Sequence, residues 1–216
     1  MHPRVILFDF DGVLADTENV HVAAWERTFD AMGFDVAPEV CARAMEEDDR
    51  IFLATLFAHR GLVGGDVDGW VRRKQALTAR MLADAPQLYP GVVEVVRSLA
   101  ARDGLRLGVV TTTWRENVAV VLGVAGLVDD FAVVVAKEDV AAVKPDPESY
   151  RLALTRLGVG PEVAVALEDS PTGLAAARAA GLRALAVGHR RPPGDWAGDS
   201  TYLPDLSDLE NVLGAE

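Results

Sequence analysis

Two pairs of carboxylates are the residues of this chain best suited to chemistry. Asp9 and Asp11 stand two residues apart with Gly12 next, and Glu168 and Asp169 form the second pair. If the fold brought both pairs together, their negative charges would repel one another unless a cation lay between them. Oxygen ligands of this kind favour Mg²⁺, which also accepts a substrate phosphate oxygen. The acidic pairs therefore predict a magnesium site.

A hydroxyl cluster and a lysine supply the groups that hold phosphate. Thr111-Thr112-Thr113 ends an apolar run, and Lys144 precedes the start of a predicted helix. Hydroxyls, ammonium groups and the N–H groups of helix N-termini are common phosphate ligands in proteins. The chemistry that needs these groups beside a metal is phosphoryl transfer, in which a carboxylate can serve as the nucleophile.

The elements that must position these residues are the strands of a parallel sheet. Short apolar runs alternate with helical patterns, which indicates βαβ units and an α/β, doubly wound sheet. In such a sheet ligands bind beyond the carboxyl ends of the strands, where both acidic pairs and the threonines fall. The predicted strands cover residues 5–8, 105–110, 132–135, 163–167 and 183–187. The predicted helices between them cover residues 94–101, 116–122, 148–157 and 172–180.

One stretch, residues 16–86, breaks this alternation because it contains helical patterns alone. We interpret it as an α-helical cap domain inserted into the α/β core, which would comprise residues 1–15 and 87–216. The alternative is a helical excursion that merely enlarges the core. The predicted cap helices cover residues 17–32, 38–45, 50–59 and 68–83.

Composition narrows the class of partner. The formal charge is −12, from 33 acidic and 21 basic residues. This charge opposes nucleic acid and anionic membranes, and it requires any anion site to contain local cations or a metal. A single cysteine, Cys41, excludes an intrachain disulfide and a cysteine-rich zinc site. No apolar stretch approaches the roughly 18 residues that a membrane span needs, so we expect a cytoplasmic protein.

The four polar segments together resemble the ordered motifs of the haloacid dehalogenase superfamily, and the resemblance spans residues 5–187. The helical insertion after the first motif resembles the helical, C1-type cap of that superfamily. The matching segments are Asp9-Phe10-Asp11-Gly12-Val13, Thr111, Lys144 and Glu168-Asp169. Asp16-Thr17-Glu18, His21 and Trp25, with Ser170-Pro171-Thr172-Gly173, are most similar to the β-phosphoglucomutase-like branch, which also contains sugar-phosphate phosphatases.

The resemblance implies a role for each matching residue. Asp9 would attack phosphorus and form an aspartyl phosphate, and Asp11 would act as general acid and base. Thr111 and Lys144 would stabilise the transferring phosphoryl group. The implied Mg²⁺ ligands are Asp9, the backbone carbonyl of Asp11 and Asp169, with Glu168 either a ligand or a residue that orients water. The implied phosphate- or substrate-binding residues are Gly12, Thr112, Glu18 and His21, although His21 could equally be a histidine on a helix surface.

We predict a Mg²⁺-dependent phosphatase acting on a small phosphorylated metabolite, with a phosphosugar mutase as the alternative. In the branch that the chain resembles, mutases and bisphosphatases hold a second phosphate with a basic cap loop. The corresponding stretch here contains four consecutive acids, Glu46-Glu47-Asp48-Asp49, followed by Arg50. These acids would repel a distal phosphate, although they could instead form a helix N-terminus, where negative charge is favourable. The acidic run therefore favours hydrolysis over mutase activity.

Two other classes fit parts of the pattern. A phospho-receiver domain also combines Asp, Thr, Lys and an acidic pair, but it is shorter, carries its phosphoaccepting Asp in mid-chain and has no cap. A catalytically idle binding protein on the same fold is disfavoured by the intact Asp9, Asp11, Lys144 and Asp169. We expect a small-molecule partner, no nucleic acid and no membrane, and either a monomer or a homodimer.

Overall fold

The computed structural model describes residues 3–44, 48–62, 64–189 and 201–214, and within them six strands form one sheet. The strands lie in the order β3-β2-β1-β4-β5-β6 and every neighbouring pair is parallel, which confirms the predicted α/β class. Their bounds are β1 (Val5–Phe8), β2 (Arg106–Val110), β3 (Phe131–Val135), β4 (Ala164–Glu168), β5 (Arg183–Val187) and β6 (Thr201–Leu203).

Helices connect the strands and cover the sheet. The helix bounds are α1 (Glu18–Met32), α2 (Pro38–Arg43), α3 (Asp49–His59), α4 (Val67–Asp84), α5 (Val92–Ala100), α6 (Arg115–Ala125), α7 (Glu148–Leu157), α8 (Pro171–Ala179) and α9 (Leu209–Gly214). Helix α7 packs on β2 and β3, and α8 packs on β4 and β5. Within the described ranges, no helix combines the length and apolarity that a membrane crossing would need.

The position of β1 in the sheet decides where the polar segments meet. All four of its residues, Val5–Phe8, are fully buried, as expected of a central parallel strand. Phe8 pairs with Val109 of β2 on one side and with Leu167 of β4 on the other. The residues that follow these three strands therefore emerge side by side at one edge of the sheet.

The sequence patterns located five strands and eight helices of the described chain but missed its last two elements. The strand β6 has three residues and lies at the edge of the sheet, beside β5. Three residues are too few to show the alternation of apolar and polar side chains that identifies a strand. Helix α9 has only six residues, which gives less than two turns of periodicity.

The chain divides into two compact units, one of residues 1–16 with 87–216 and one of residues 17–86. We call them the sheet unit and the helical unit; the predicted boundaries were 1–15 with 87–216, and 16–86. The segments where the chain leaves and re-enters the sheet unit are paired with each other, since Ala15 forms an antiparallel bridge with Leu88. Within the described residues of the helical unit, α1 to α4 are the regular elements and no strand occurs.

The helical unit has an aromatic core around Trp25. This side chain is fully buried, stacks on Phe29 with ring centroids 5.1 Å apart, and meets Phe52 edge-on at 5.2 Å. Aromatic contacts of these two geometries are favourable beyond the apolar area that they bury. Trp25 is therefore a core residue of the helical unit.

A buried lysine lies beside this aromatic core. The Lys74 side chain is 1% exposed, and its Nζ lies 3.3 Å from each carboxylate oxygen of Asp49. The same Nζ lies 3.1 Å from Nδ1 of His21 and 5.2 Å from the centre of the Trp25 ring. Gln75 donates a further hydrogen bond to Asp49. His21 is therefore part of a buried polar cluster, and the alternative of a surface histidine is wrong.

Two residues of the acidic run that was predicted to repel a distal phosphate, Asp48 and Asp49, have structural roles. Asp48 is the N-cap of α3 and accepts the backbone N–H groups of Arg50 and Ile51. Asp49 follows it in the first turn and pairs with Lys74. Negative charge is favourable at a helix N-terminus, and Asp49 is also balanced by a cation. The other two acids of the run, Glu46 and Glu47, lie outside the described residues.

The buried pair gives a stability prediction. Asp49→Ala leaves the Lys74 ammonium buried without its carboxylate, so we expect the free energy of unfolding to fall by about 3 kcal/mol. Adding Lys74→Met removes the orphaned charge while keeping apolar volume, and the double variant should recover most of the loss. Urea denaturation followed by circular dichroism measures both changes.

Asp68→Ala is the control for that experiment. Asp68 pairs with Arg50 at 2.7 Å, but both side chains are about half exposed or more. Exposed ion pairs contribute roughly 0–1 kcal/mol, so this variant should unfold close to the wild type. A double variant as unstable as Asp49→Ala alone would show that the buried charge is not the cause of the loss.

Candidate active site

The first carboxylate of the predicted site, Asp9, lies at the carboxyl end of the central strand. Its backbone N–H continues the ladder between β1 and β4 by donating to the carbonyl of Leu167 at 2.9 Å. Its Oδ1 accepts the backbone N–H of Phe10 at 2.8 Å and lies 3.0 Å from Nζ of Lys144. The strand thus fixes the backbone of Asp9, while two donors fix its side chain.

Gly12 forms the turn that follows, and only glycine fits there. Its φ is +81°, and a Cβ on this residue would lie 1.8 Å from Oδ2 of Asp169. The absence of a side chain therefore lets the first acidic pair approach the second. The Gly12 N–H donates to the carbonyl of Ala15 at 2.9 Å. The N–H of Gly12 thus closes the turn, and the predicted role of Gly12 in binding phosphate stays a prediction.

Lys144 joins the ends of three adjacent strands. Its Nζ lies 3.0 Å from Asp9 Oδ1 after β1 and 2.7 Å from Glu168 Oε1 at the end of β4. It also donates to the carbonyl of Val110, the last residue of β2, at 2.8 Å. The Lys144 side chain is only 5% exposed, and each of its three N–H groups has an acceptor inside the protein.

The loop that carries Lys144 is closed by the helix after it. Glu148, the first residue of α7, accepts the backbone N–H groups of Ala141 and Ala142 at 3.0 and 2.8 Å. These hydrogen bonds lower the pKa of the Glu148 carboxyl, because they stabilise its charged form. The acid thereby ties both ends of the loop together and holds the lysine at the sheet edge.

Burial and charge act in opposite directions on the buried lysine. Burial alone lowers the pKa of Lys144, but the charges of Asp9 and Glu168 outweigh it and hold the pKa above its ordinary value. For Glu168, burial and the charge of Asp9 raise the pKa of the carboxyl, while Lys144 lowers it, with a net rise. Because the ammonium contacts two carboxylates, we treat Lys144 as charged and its charge as shared between them.

Glu168 is fully buried and has a partner that the sequence did not indicate. Its Oε1 accepts the Tyr150 hydroxyl at 2.6 Å, in addition to the contact with Lys144. Gly173 makes room for the other oxygen, since a Cβ there would lie 1.9 Å from Oε2. Tyr150 lies on the buried face of α7, and an aromatic residue in that position carries no sequence signal for a polar contact.

The hydroxyl cluster is ordered by its own backbone. Thr111 continues the β2–β3 ladder through its N–H, which donates to the carbonyl of Val135 at 2.9 Å. Its Oγ1 accepts the N–H of Thr113 at 3.0 Å, so the hydroxyl keeps its proton for another acceptor. Thr113 Oγ1 in turn hydrogen-bonds Oδ2 of Asp11, whereas the Thr112 side chain is exposed.

Three carboxylates of the site are close enough to share a metal ion. One ligand oxygen from each of Asp9, Glu168 and Asp169 lies within 4.8 Å of the others. A set made only of carboxylate oxygens fits Mg²⁺ and does not suit a soft metal. The cluster contains three of the four predicted acids, while the Asp11 carboxylate hydrogen-bonds Thr113, and metal binding stays a prediction.

The two predicted substrate residues of the first helix belong to the helical unit. Glu18 lies in the first turn of α1 and is exposed, while His21 is buried beside Lys74. Residues three apart on a helix share a face, yet here one side chain lies in solvent and the other in the core. Their binding role stays a prediction.

Known proteins resemble this chain over nearly its full length. The family model of the haloacid dehalogenase-like hydrolases matches residues 6–187. Protein CbbY of Rhodobacter capsulatus is 36% identical over 96% of this chain and 95% of that protein. The phosphoglycolate phosphatase of Rhodospirillum rubrum is 34% identical over 98% of this chain and 91% of that protein. The crystal structure of a CbbY mutant from Rhodobacter sphaeroides in complex with xylulose-(1,5)bisphosphate is 33% identical, with a TM-score of 0.82 and 96% of each chain covered.

Proposed function

The chain belongs to the haloacid dehalogenase-like hydrolase family and is a phosphoric monoester hydrolase, and we propose that it hydrolyses a phosphorylated sugar through an aspartyl phosphate on Asp9. The observation that carries this proposal is the placement of the Lys144 ammonium, 3.0 Å from Asp9 and 2.7 Å from Glu168. A buried cation next to the nucleophile is positioned to stabilise the charge of a transferring phosphoryl group.

The proposed reaction has two steps that use the same residues. First, a carboxylate oxygen of Asp9 bonds to phosphorus while the bond to the leaving oxygen breaks, and Asp11 gives its proton to that oxygen. Second, the Asp11 carboxylate takes a proton from water, the water oxygen bonds to phosphorus, and the bond to Asp9 breaks. Thr111 and Lys144 stabilise the phosphoryl oxygens in both steps. The products are an alcohol and inorganic phosphate, and Asp11 ends with the proton with which it began.

We propose Mg²⁺ as the cofactor, held by Asp9, the backbone carbonyl of Asp11 and Asp169. When bound, this ion would neutralise charge on the phosphate and orient it towards Asp9. Glu168 is assigned a different task, because its Oε1 already accepts from both Tyr150 and Lys144. Its main role is to hold the lysine, and its contribution to the metal is indirect.

The relatives support the substrate class that we propose. The CbbY structure contains a sugar bisphosphate, and the phosphatase of Rhodospirillum rubrum is named for a phosphorylated short-chain acid. Two acids of the helical unit have structural roles, since Asp48 caps a helix and Asp49 is paired with Lys74. We therefore propose phosphorylated sugars as the class, with both mono- and bisphosphates included in the substrate panel.

Replacement of the nucleophile tests the mechanism directly. Asp9→Asn should abolish turnover of an aryl phosphate, because an amide cannot form the acyl phosphate, while circular dichroism shows an intact fold. Beryllium trifluoride, which mimics a phosphoryl group, should form its adduct on Asp9 of the wild type. Asp129→Asn, a change on an exposed turn, is the control and should leave the rate unchanged. Substantial turnover by the Asp9 variant would rule out the aspartyl phosphate.

The metal assignment predicts different results for the two residues of the second acidic pair. Asp169→Ala should remove most Mg²⁺ binding, measured by isothermal titration calorimetry, together with activity. The affinity of Glu168→Ala for Mg²⁺ should be closer to that of the wild type. Its affinity for inorganic phosphate should fall, because Lys144 no longer has the Glu168 carboxylate that positions it. Chelation should abolish wild-type activity, and full turnover in a metal-stripped sample would contradict the proposed site.

The fate of the phosphoenzyme separates hydrolysis from mutase activity. A mutase must protect the intermediate from water until a sugar hydroxyl accepts the phosphoryl group, whereas a hydrolase needs only water activated by Asp11. Given β-glucose 1-phosphate and a bisphosphate primer, we expect inorganic phosphate to form with little isomerised product. Phosphorus NMR follows both products. Faster accumulation of glucose 6-phosphate than of inorganic phosphate would replace the hydrolase assignment by the mutase.

A further inference from the structure

We propose that Thr113 is the positioning residue for Asp11, the side chain that gives and takes the proton in the proposed reaction. This inference rests on the proposed function, because it gives Thr113 a task only if Asp11 acts as general acid and base. The observation behind it is the hydrogen bond between Thr113 Oγ1 and Asp11 Oδ2, which joins residues 102 positions apart in sequence.

The hydroxyl of Thr113 is held in place by the backbone on both sides. The Thr113 N–H donates to Oγ1 of Thr111 at 3.0 Å, and the Thr113 carbonyl accepts the N–H of Lys137 at 3.1 Å. Threonine is β-branched, so its χ1 rotamer is restricted once the backbone is fixed. The position of Oγ1 is therefore set by the fold, and the Asp11 carboxylate is oriented by its hydrogen bond to it.

The turn that contacts Thr113 is itself anchored. Lys137 begins a 3₁₀ turn, Lys137–Asp139, directly after β3. Asp139 accepts the N–H of Ala136 at 2.8 Å and a guanidinium N–H of Arg156 at 2.9 Å. These contacts lower the pKa of the Asp139 carboxyl despite its partial burial, in keeping with an ionised acid. The position of Thr113 is thus fixed by contacts with Thr111 after β2 and with the 3₁₀ turn, which is in turn held by Arg156 of α7.

The chemistry of a hydroxyl suits a partner that must change its protonation state. A threonine O–H can donate to the Asp11 carboxylate and can also accept from the Asp11 carboxylic acid. A lysine or arginine in the same place could only donate, and it would hold Asp11 ionised. Thr113 can therefore keep the orientation of Asp11 through both steps, and errors of about 1 Å in such positions cost rates of order 10²-fold.

The test compares a variant that lacks the hydroxyl with one that keeps it. Thr113→Val preserves the shape of the side chain and removes the hydrogen bond, whereas Thr113→Ser retains the hydroxyl. With 4-nitrophenyl phosphate, we expect kcat of Thr113→Val to fall by about 10–100-fold, a fraction of the 10²–10⁴-fold that acid–base catalysis contributes. The ratio kcat/KM and the affinity for beryllium trifluoride should change by less than about threefold, because Asp9, Thr111 and Lys144 are untouched, and KM should fall together with kcat. Thr113→Ser should restore most of kcat.

A pre-steady-state measurement distinguishes positioning from a general loss of structure. Nitrophenolate leaves without needing a proton, so phosphorylation of Asp9 should survive in Thr113→Val while hydrolysis of the phosphoenzyme slows. We therefore expect a burst of about one nitrophenolate per active site, and a phosphoenzyme that can be trapped by acid quench. Thr113→Ala, which adds no volume, should show the same burst. Thr155→Val on the exposed side of α7 is the matched control, since its hydroxyl donates only to the carbonyl of Arg151.

The possible results separate this inference from the proposed function. Turnover of Thr113→Val within about twofold of the wild type would overturn the positioning role. So would a fall in kcat accompanied by an equal loss of beryllium trifluoride affinity and no burst, since that pattern means damage to the phosphate site. If the wild type itself never forms a phosphoenzyme on Asp9, the proposed function fails instead.

Discussion

The arrangement of this protein depends on one buried ammonium group. Lys144 Nζ contacts Asp9, Glu168 and the carbonyl of Val110, and so links the carboxyl ends of β1, β4 and β2. Buried carboxylates without a cation would cost several kcal/mol each, so the lysine is what allows Asp9 and Glu168 to lie together inside the sheet edge. The loop closed by Glu148 and the burial of Tyr150 on α7 both serve to keep that ammonium where the strands end.

The fold could be predicted because its signals are local. The run Val5–Phe8 is fully apolar and ends in a carboxylate, which is enough to identify a buried parallel strand with a functional end. Helix α7 begins at Glu148 and ends before Gly158, whose φ is +65°, and both boundaries can be predicted from residue type. The edge strand β6 and the short helix α9 were not predicted, because they have too few residues to show a periodic pattern of apolar side chains.

Only the motif residues of the site could be predicted from the sequence. Asp9, Lys144 and the pair Glu168-Asp169 come from three separate segments, and the parallel topology brings their side chains together. Contacts made by ordinary residue types were not predictable: the hydroxyl of Tyr150 on Glu168 depends on tertiary packing, as does the Thr113 hydroxyl on Asp11. The sequence also predicted a turn at Gly12, but it did not indicate that the absence of a Cβ there makes room for the Asp169 carboxylate.

Net charge is a poor guide to what an acidic protein can bind, and the two units of this chain show why. The formal charge of −12 predicts repulsion of anions. In the sheet unit, however, Lys144 lies among carboxylates, and in the helical unit Lys74 lies against Asp49 with its side chain 1% exposed. Coulomb energies are strongest where water is excluded, so a buried cation at short range outweighs solvated acids at a distance of a Debye length or more. Binding of an anion therefore depends on the charges that lie next to it, and the net charge of the chain does not determine it.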